Sequence, residues 1–393
     1  MSERIEPIQT RFVRPSIELL EESLIRKVAE NNIGRDDVIP LWFGEPDLPT
    51  PEFIKEAAIQ ALRDDHVFYT QNRGIPPLLD ALSTYVSRLH ERPIGTDRLT
   101  VTGSGMNAIM LSSQALVDAG DNMIVIGPVW PNCIETVHVM GGETRVVPLT
   151  PIADGGWRFD LDRVLDACDE RTVGVFVNSP GNPTGWMMEA DEQRDLLAAC
   201  RARGLTIVAD EVYVRLAYDR PRAPSFLDVA EPDDRLIVVN SFSKSWSMTG
   251  WRLGWLTHAA ALGDVFAKLN EFNIAAPTSF VQHAGVTAVR DGEEFVLATV
   301  ERYRRNRDLV YQRLAAMPRV RLARPEGAFY AFFAVDGMTD SVAFAEQLIN
   351  DVGVGLAPGR AFGPSGEGRL RLCFAAEAQT LSNALDRLAQ ALE

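Results

Sequence analysis

Short apolar runs alternating with helical stretches predict an α/β fold: a mostly parallel central sheet sandwiched by helices, with a smaller α+β domain formed by the N- and C-terminal parts. Three observations carry this prediction. From about residue 96 to 260, five apolar runs of four or five residues alternate with segments of helical periodicity. Four of those runs end in polar or glycine residues, as strands feeding a ligand cleft do in open α/β sheets. At 393 residues the chain is also too long for one compact core.

Taken in order, an N-terminal arm and part of the small domain are expected over 1–45. A large domain follows over 46–288 and a C-terminal small domain over 289–393. Runs 99–102, 123–126, 173–177, 206–209 and 236–239 read as buried strands. Segments 107–117 and 190–202 between them read as helices. Beyond residue 290, 293–317 reads as one long helix with Val296, Val300, Tyr303, Val310 and Leu314 on its apolar side. Strands over 329–335 and 369–374 follow, and a closing helix over 380–392. Thr380 is expected to be its N-cap, since a hydroxyl can accept from a free N–H of the first turn. The basic run 302–307 (RYRRNR) reads as a solvated helix face.

Composition narrows the class. Apolar residues are 46% and charged residues 24%, which is ordinary globular usage and argues against disorder, collagen and coiled coil. The net charge of −15 opposes nucleic-acid backbones and anionic lipid surfaces as partners. The four cysteines lie far apart and read as reduced thiols, and the five histidines form no cluster, so no metal site is expected. The opening residues MSERIEPIQTRF are charged and do not read as a signal peptide. No apolar run approaches the ~20 residues of a membrane span. A cytoplasmic protein is the expectation.

Four groups of residues could carry chemistry. Lys244, in Asn240-Ser-Phe-Ser-Lys244, follows a buried strand, where a desolvated amine can act as a Schiff-base nucleophile. Ser241 and Arg252 flank it and suit a phosphate dianion; the bland alternative is a surface lysine in a polar loop. Asp210, in Ala209-Asp-Glu-Val-Tyr213, ends a strand and needs a partner, either a protonated ring nitrogen or a structural arginine. Gly103-Ser104-Gly105-Met106 leads from strand to helix and makes an anion cradle from backbone N–H groups. It also fits G-x-G-x-x-A, but the next strand ends in Gly127-Pro128 without the acid that holds a dinucleotide ribose, so a single phosphate fits better. Asn178-Ser-Pro-Gly-Asn182-Pro-Thr-Gly185 fixes Asn182 in a rigid turn. Trp130 lies past another strand end, where an indole can stack on a planar ring or fill the core.

In order and spacing, NSPGNPTG, ADEVY and SFSKSWSMTGWRLGW resemble the fold type I aminotransferases of class I/II, the pyridoxal-phosphate enzymes of the aspartate aminotransferase-like family. LWFGEPDLPTP, PEGAFYAFF, PGRAFG and GRLRLCFA extend the resemblance over nearly the whole chain. It implies that Lys244 is the Schiff-base lysine and proton shuttle, and that Asp210 pairs with the pyridinium N–H. Tyr213 and Asn182 are then the pair on the ring's 3′-oxygen, and Trp130 stacks on the ring. Ser104, Gly105, Met106, Ser241 and Arg252 form the phosphate cup, with Met106 where relatives often carry Ser, Thr or Lys. Tyr69 is the tyrosine that reaches the phosphate of a neighbouring subunit, which implies a homodimer with shared active sites. Arg371 clamps the substrate α-carboxylate, and Gly44 lies against the same substrate beside Trp130 and Asn182.

The implied reaction is ping-pong transamination between an L-amino acid and a 2-oxo acid, 2-oxoglutarate or pyruvate. Segment 269–277 reads LNEFNIAAP, without the arginine by which one branch reads a side-chain carboxylate. A neutral or aromatic amino acid therefore fits at least as well as aspartate. A carbon–sulfur β-lyase on the same fold shares every cofactor residue named. A transcription regulator's effector domain would need an added DNA-binding domain, and only about forty residues precede the first motif.

Overall fold

The computed structural model describes residues 12–153 and 155–392. The first eleven residues, on which the signal-peptide reading and the start of the 1–45 arm rest, lie outside them.

Seven strands form the main sheet: β1 (Leu99–Thr102), β2 (Asn122–Gly127), β3 (Glu143–Pro148), β4 (Thr172–Asn178), β5 (Thr206–Asp210), β6 (Leu236–Ser241) and β7 (Gly254–His258). Their order is β1-β7-β6-β5-β4-β2-β3. Pairings from β6 through β3 are parallel, while β7 runs antiparallel to both of its neighbours. Side chains alternate across the sheet. Ile124, Val175, Val177, Ile207 and Val238 join one core, and Met123, Phe176, Val208, Ile237 and Val239 join another on the opposite face. Both faces are covered by helices, so the central strands read as continuous apolar runs rather than alternating ones. Two strands escape the sequence reading. β3 is a half-buried edge strand with a mixed composition, and β7 begins at Gly254 near the end of the WRLGW motif.

A second sheet is antiparallel throughout, built from β8 (Val320–Arg321), β9 (Tyr330–Val335), β10 (Ala357–Pro358) and β11 (Arg369–Cys373) in the order β8-β9-β11-β10. Its core draws on both ends of the chain. Ile25, Val28, Leu41 and Trp42 pack with Leu370, Leu381, Leu385 and Leu388. Ile39–Pro40 pairs in parallel with Val354–Gly355, which stitches the two ends together.

Two expectations need correction. The last helix runs Ala378–Leu392, so Thr380 lies inside its first turn rather than capping it. The 302–307 run is no uniform solvated face of helix Glu293–Ala315. Tyr303, Asn306 and Arg307 are buried, and the Arg307 guanidinium lies 4.8 Å from the centre of the Tyr218 ring while donating to Asp219 at 3.0 Å. Within one helix, one flank of that run faces the core, and charge counting alone does not see which. Among the described residues, no helix is long and apolar enough to cross a membrane.

Candidate active site

The strand register delivers the chemistry to one place. Asn178 sits opposite Asp210, and Ser241 opposite Gly254, which in turn faces Thr102. The carboxyl ends of β1, β4, β5 and β6 therefore meet at one edge, and a cleft of about 500 Å³ opens there. Residues of the second sheet, Tyr330 and Arg371, close its other wall.

Lys244 rides on the four-residue helix Phe242–Ser245 that follows β6. Its Nζ donates to the Gly44 carbonyl at 2.7 Å and lies 5.8 and 5.6 Å from the ring centres of Tyr213 and Phe329. Burial lowers its pKa to about 8, with Arg371 pushing the same way, although Cys373, Glu45 and Asp210 oppose the shift. The bland reading of an exposed loop lysine is thereby excluded.

Asp210 is buried at the end of β5. Its carboxylate accepts only the Val212 N–H, at 3.3 Å, and among the described residues no cation lies within ion-pair distance. Burial lifts its pKa to about 7, against the Val212 bond and the Lys244 charge. The structural-arginine alternative falls away. What remains is a buried acid lining the cleft with no cationic partner among the described residues.

Arg371 is the mirror case. Fully buried on β11, it donates to Asn182 Oδ1 at 2.8 Å and to the Trp42 carbonyl, and it stacks 4.5 Å from the Tyr330 ring centre. Its Nε has no acceptor, and no carboxylate pairs with it among the described residues. Buried guanidinium without a counter-ion is costly unless an anion completes it. Asn182 is locked from several sides: Asn178 Oδ1 accepts its N–H at 2.8 Å, and its carbonyl accepts from Trp130 N at 3.0 Å. With Oδ1 engaged by Arg371, its Nδ2 is left to donate into the cleft.

The sequence reading passed over Tyr330 as one aromatic in a strand. Its hydroxyl meets that of Tyr213 at 2.8 Å, and burial raises both phenols well above their usual range. A Cβ at Gly44 would run into the same hydroxyl, so only glycine lets the backbone approach here. Asn178, a polar strand end expected at the cleft, lines it, and its side chain ties Asn182 to the Asp210 carbonyl, the latter at 3.0 Å.

An anion pocket forms beside this centre. Helix Gly105–Leu116 starts at Ser104, whose hydroxyl accepts from Asn107 N at 2.9 Å. Ser104 therefore spends its side chain as a cap and does not line the cleft, while the first-turn residues Gly105 and Met106 do. Their N–H groups have no partners within the helix and carry the positive end of its dipole. Ser241 and Arg252 face the same space. Gly254 sets the spacing: a Cβ there would lie 2.7 Å from Gly105 N and 2.8 Å from the Asn240 carbonyl. Trp130 and Gly44 line the cleft as expected. Tyr69 does not. It is 91% exposed, next to exposed Phe68 and near Phe272 through the bond from Asn72 to Glu271.

A family model for aminotransferase class I and II matches residues 36–388. The chain belongs to the class I and II aminotransferases. An aspartate aminotransferase of Thermotoga maritima is 35% identical over 353 residues, covering 90% of this chain and 91% of that protein. A solved aspartate aminotransferase structure from the same organism matches with a TM-score of 0.90 at 34% identity, over 97% of this chain and 100% of the other. A probable N-acetyl-LL-diaminopimelate aminotransferase of Bacillus subtilis is 32% identical over 380 residues, 96% of this chain and 95% of that protein. The solved aromatic aminotransferase of Pyrococcus horikoshii matches with a TM-score of 0.86 at 29% identity, over 94% and 98%. As a class I and II aminotransferase, the protein is a fold type I transaminase, and enzymes of this family use pyridoxal 5′-phosphate. The residues present fit that group. A dianion suits the Gly105–Ser241–Arg252 pocket, and a protonated ring nitrogen suits the unpartnered Asp210 carboxylate.

Proposed function

We propose that this cleft holds pyridoxal 5′-phosphate on Lys244 and transfers an amino group from an L-amino acid to 2-oxoglutarate or pyruvate, in two ping-pong half-reactions. The observation that carries the reading is the buried, cation-free Asp210 carboxylate sharing one cleft with the desolvated Lys244 amine. Bound there, the cofactor supplies an electron sink for the electron pair left when the substrate α-proton departs.

The chain's own residues do the rest. Gly105, Met106, Ser241 and Arg252 hold the phosphate, and Ser104 orients the helix that presents it. Asp210 keeps the ring nitrogen protonated. Tyr213, supported by Tyr330, and the Asn182 amide donate to the ring's 3′-oxygen, while Trp130 covers the ring face. Arg371 binds the substrate α-carboxylate as a fork, which a lysine could not do, and Gly44 gives the substrate room. Lys244 Nζ, its pKa brought down to about 8 by burial, removes the α-proton and returns it.

Two features extend the proposal beyond one subunit. The exposed Val67, Phe68, Tyr69 and Phe272 form an apolar surface suited to a second copy, with Tyr69 reaching the partner's phosphate pocket. Among the described residues, 12–45 and 289–392 are assigned to the small domain and 46–288 to the large one. A cytoplasmic location suits a chain with free cysteines.

The test is spectroscopic. Protein loaded with the cofactor is expected to be yellow, and Lys244→Ala is expected to lose the visible band. Bleaching on addition of an amino acid, reversed by a 2-oxo acid, supports transamination. Pyruvate and ammonia released from cysteine with no acceptor present would instead assign the β-lyase reaction, and a colourless protein after loading would overturn both.

A further inference from the structure

We infer that Arg26 reads the second carboxylate of a dicarboxylic 2-oxo acid in this cleft, so that 2-oxoglutarate rather than pyruvate is the preferred acceptor. The inference rests on the function proposed above and specifies its acceptor.

Among the described residues, four cations line the cleft: Arg26, Lys244, Arg252 and Arg371. Three of them are engaged by protein acceptors. Lys244 donates to the Gly44 carbonyl, Arg252 to the Thr249 carbonyl, and Arg371 to Asn182 and the Trp42 carbonyl. The Arg26 guanidinium alone has no hydrogen bond or ion pair among the described residues. The two acids of the lining are not available to it. Asp210 is buried at the strand end, and the Glu45 carboxylate accepts the Thr249 hydroxyl.

The backbone under Arg26 is held in place, while its side chain is exposed. Helix Leu24–Glu30 begins at Ser23, whose hydroxyl accepts from Arg26 N at 3.4 Å, and it buries Ile25, Val28 and Ala29 in the core of the second sheet. Arg371 belongs to that same sheet, so the helix that carries Arg26 and the strand that carries Arg371 pack into one core. With Arg371 committed to an α-carboxylate, a substrate with a second carboxylate needs a second cation. Segment 269–277 offers none, and its Asn270 is turned into the core to cap the carbonyls of Asn72 and Val101. Arg26 supplies the charge from the part of the lining formed by Ser23, Ile25 and Arg26. Because it is exposed, its contribution is modest, about tenfold in selectivity.

The experiment compares wild type, Arg26→Gln and Arg26→Lys as cofactor-loaded enzymes. Arg26→Gln is expected to raise KM for 2-oxoglutarate about tenfold with kcat nearly unchanged, to leave pyruvate kinetics alone, and to be partly rescued by Arg26→Lys. A binding measurement runs beside it: calorimetry with glutarate, which has two carboxylates, and butyrate, which has one. Glutarate should weaken about tenfold in Arg26→Gln while butyrate does not move. Equal effects on both acceptors, no effect on either, or a wild-type preference for pyruvate would overturn the assignment. A wild type that releases pyruvate and ammonia from cysteine with no acceptor present would sink the parent function instead, and the glutarate–butyrate comparison still decides Arg26.

Discussion

Asp210 shows how much of this site is prepared at the expense of the fold. Its carboxyl is raised to about 7 by burial, against an ordinary value near 4 in the unfolded chain. Between those values the folded state binds the extra proton, so stability falls as pH rises from about 4 through 7 and stays low above. The cofactor-free Asp210→Asn protein is therefore expected to be more stable than cofactor-free wild type at pH 8, by about 2–4 kcal/mol, with the difference gone near pH 3.5. Denaturant titrations at the two pH values check this. Because Glu211, also raised to about 8 by burial, titrates in both proteins, the comparison isolates Asp210. Most such residues could be read from the chain: Lys244, Asp210, Asn182 and Arg371 stand in motifs whose order carries their roles. Tyr330 and Arg26 could not. An aromatic in an apolar strand looks like core, and nothing in the spacing says that residue 26 shares a cleft with residue 371.

Elements carry the next level of the design, because each anchors a group that touches the site. Ser104 caps the helix that presents Gly105 and Met106, so Ser104→Ala is expected to lower stability by about 1 kcal/mol in urea unfolding. The same change should raise the concentration of pyridoxal 5′-phosphate needed for half-loading, since the first turn loses its anchor. A stability loss with unchanged loading would mean that the cap matters to the helix alone. The strands that end at the cleft were legible as buried apolar runs closed by polar residues. β7 was not: it is short, begins with glycine and runs antiparallel, and direction leaves no trace in composition. The closing helix, read as beginning at a Thr380 cap, starts two residues earlier, and the 302–307 run conceals a buried Arg307 because charge counts do not record which flank faces inward.

At the scale of the molecule, the net charge of −15 describes the surface while the cleft is lined by four cations among the described residues. The exposed Phe68, Tyr69 and Phe272 are expected to be covered in solution by a second copy. Phe68→Asp with Phe272→Asp should shift sedimentation from dimer to monomer and reduce activity more than a surface change would. A wild-type monomer at micromolar concentration would end the shared-site proposal. A different consequence follows from the small core built from both chain ends. On the ribosome, the seven-stranded sheet is available by residue 258, but Leu41 and Trp42 must wait for Leu370 and Leu381 before they find their neighbours. Native pairings spanning more than 300 positions close late and slowly. The nascent chain thus carries an unburied apolar segment through most of its synthesis, a natural target for chaperones. The cleft itself, lined by both Gly44 and Arg371, is completed only when residue 371 has been made.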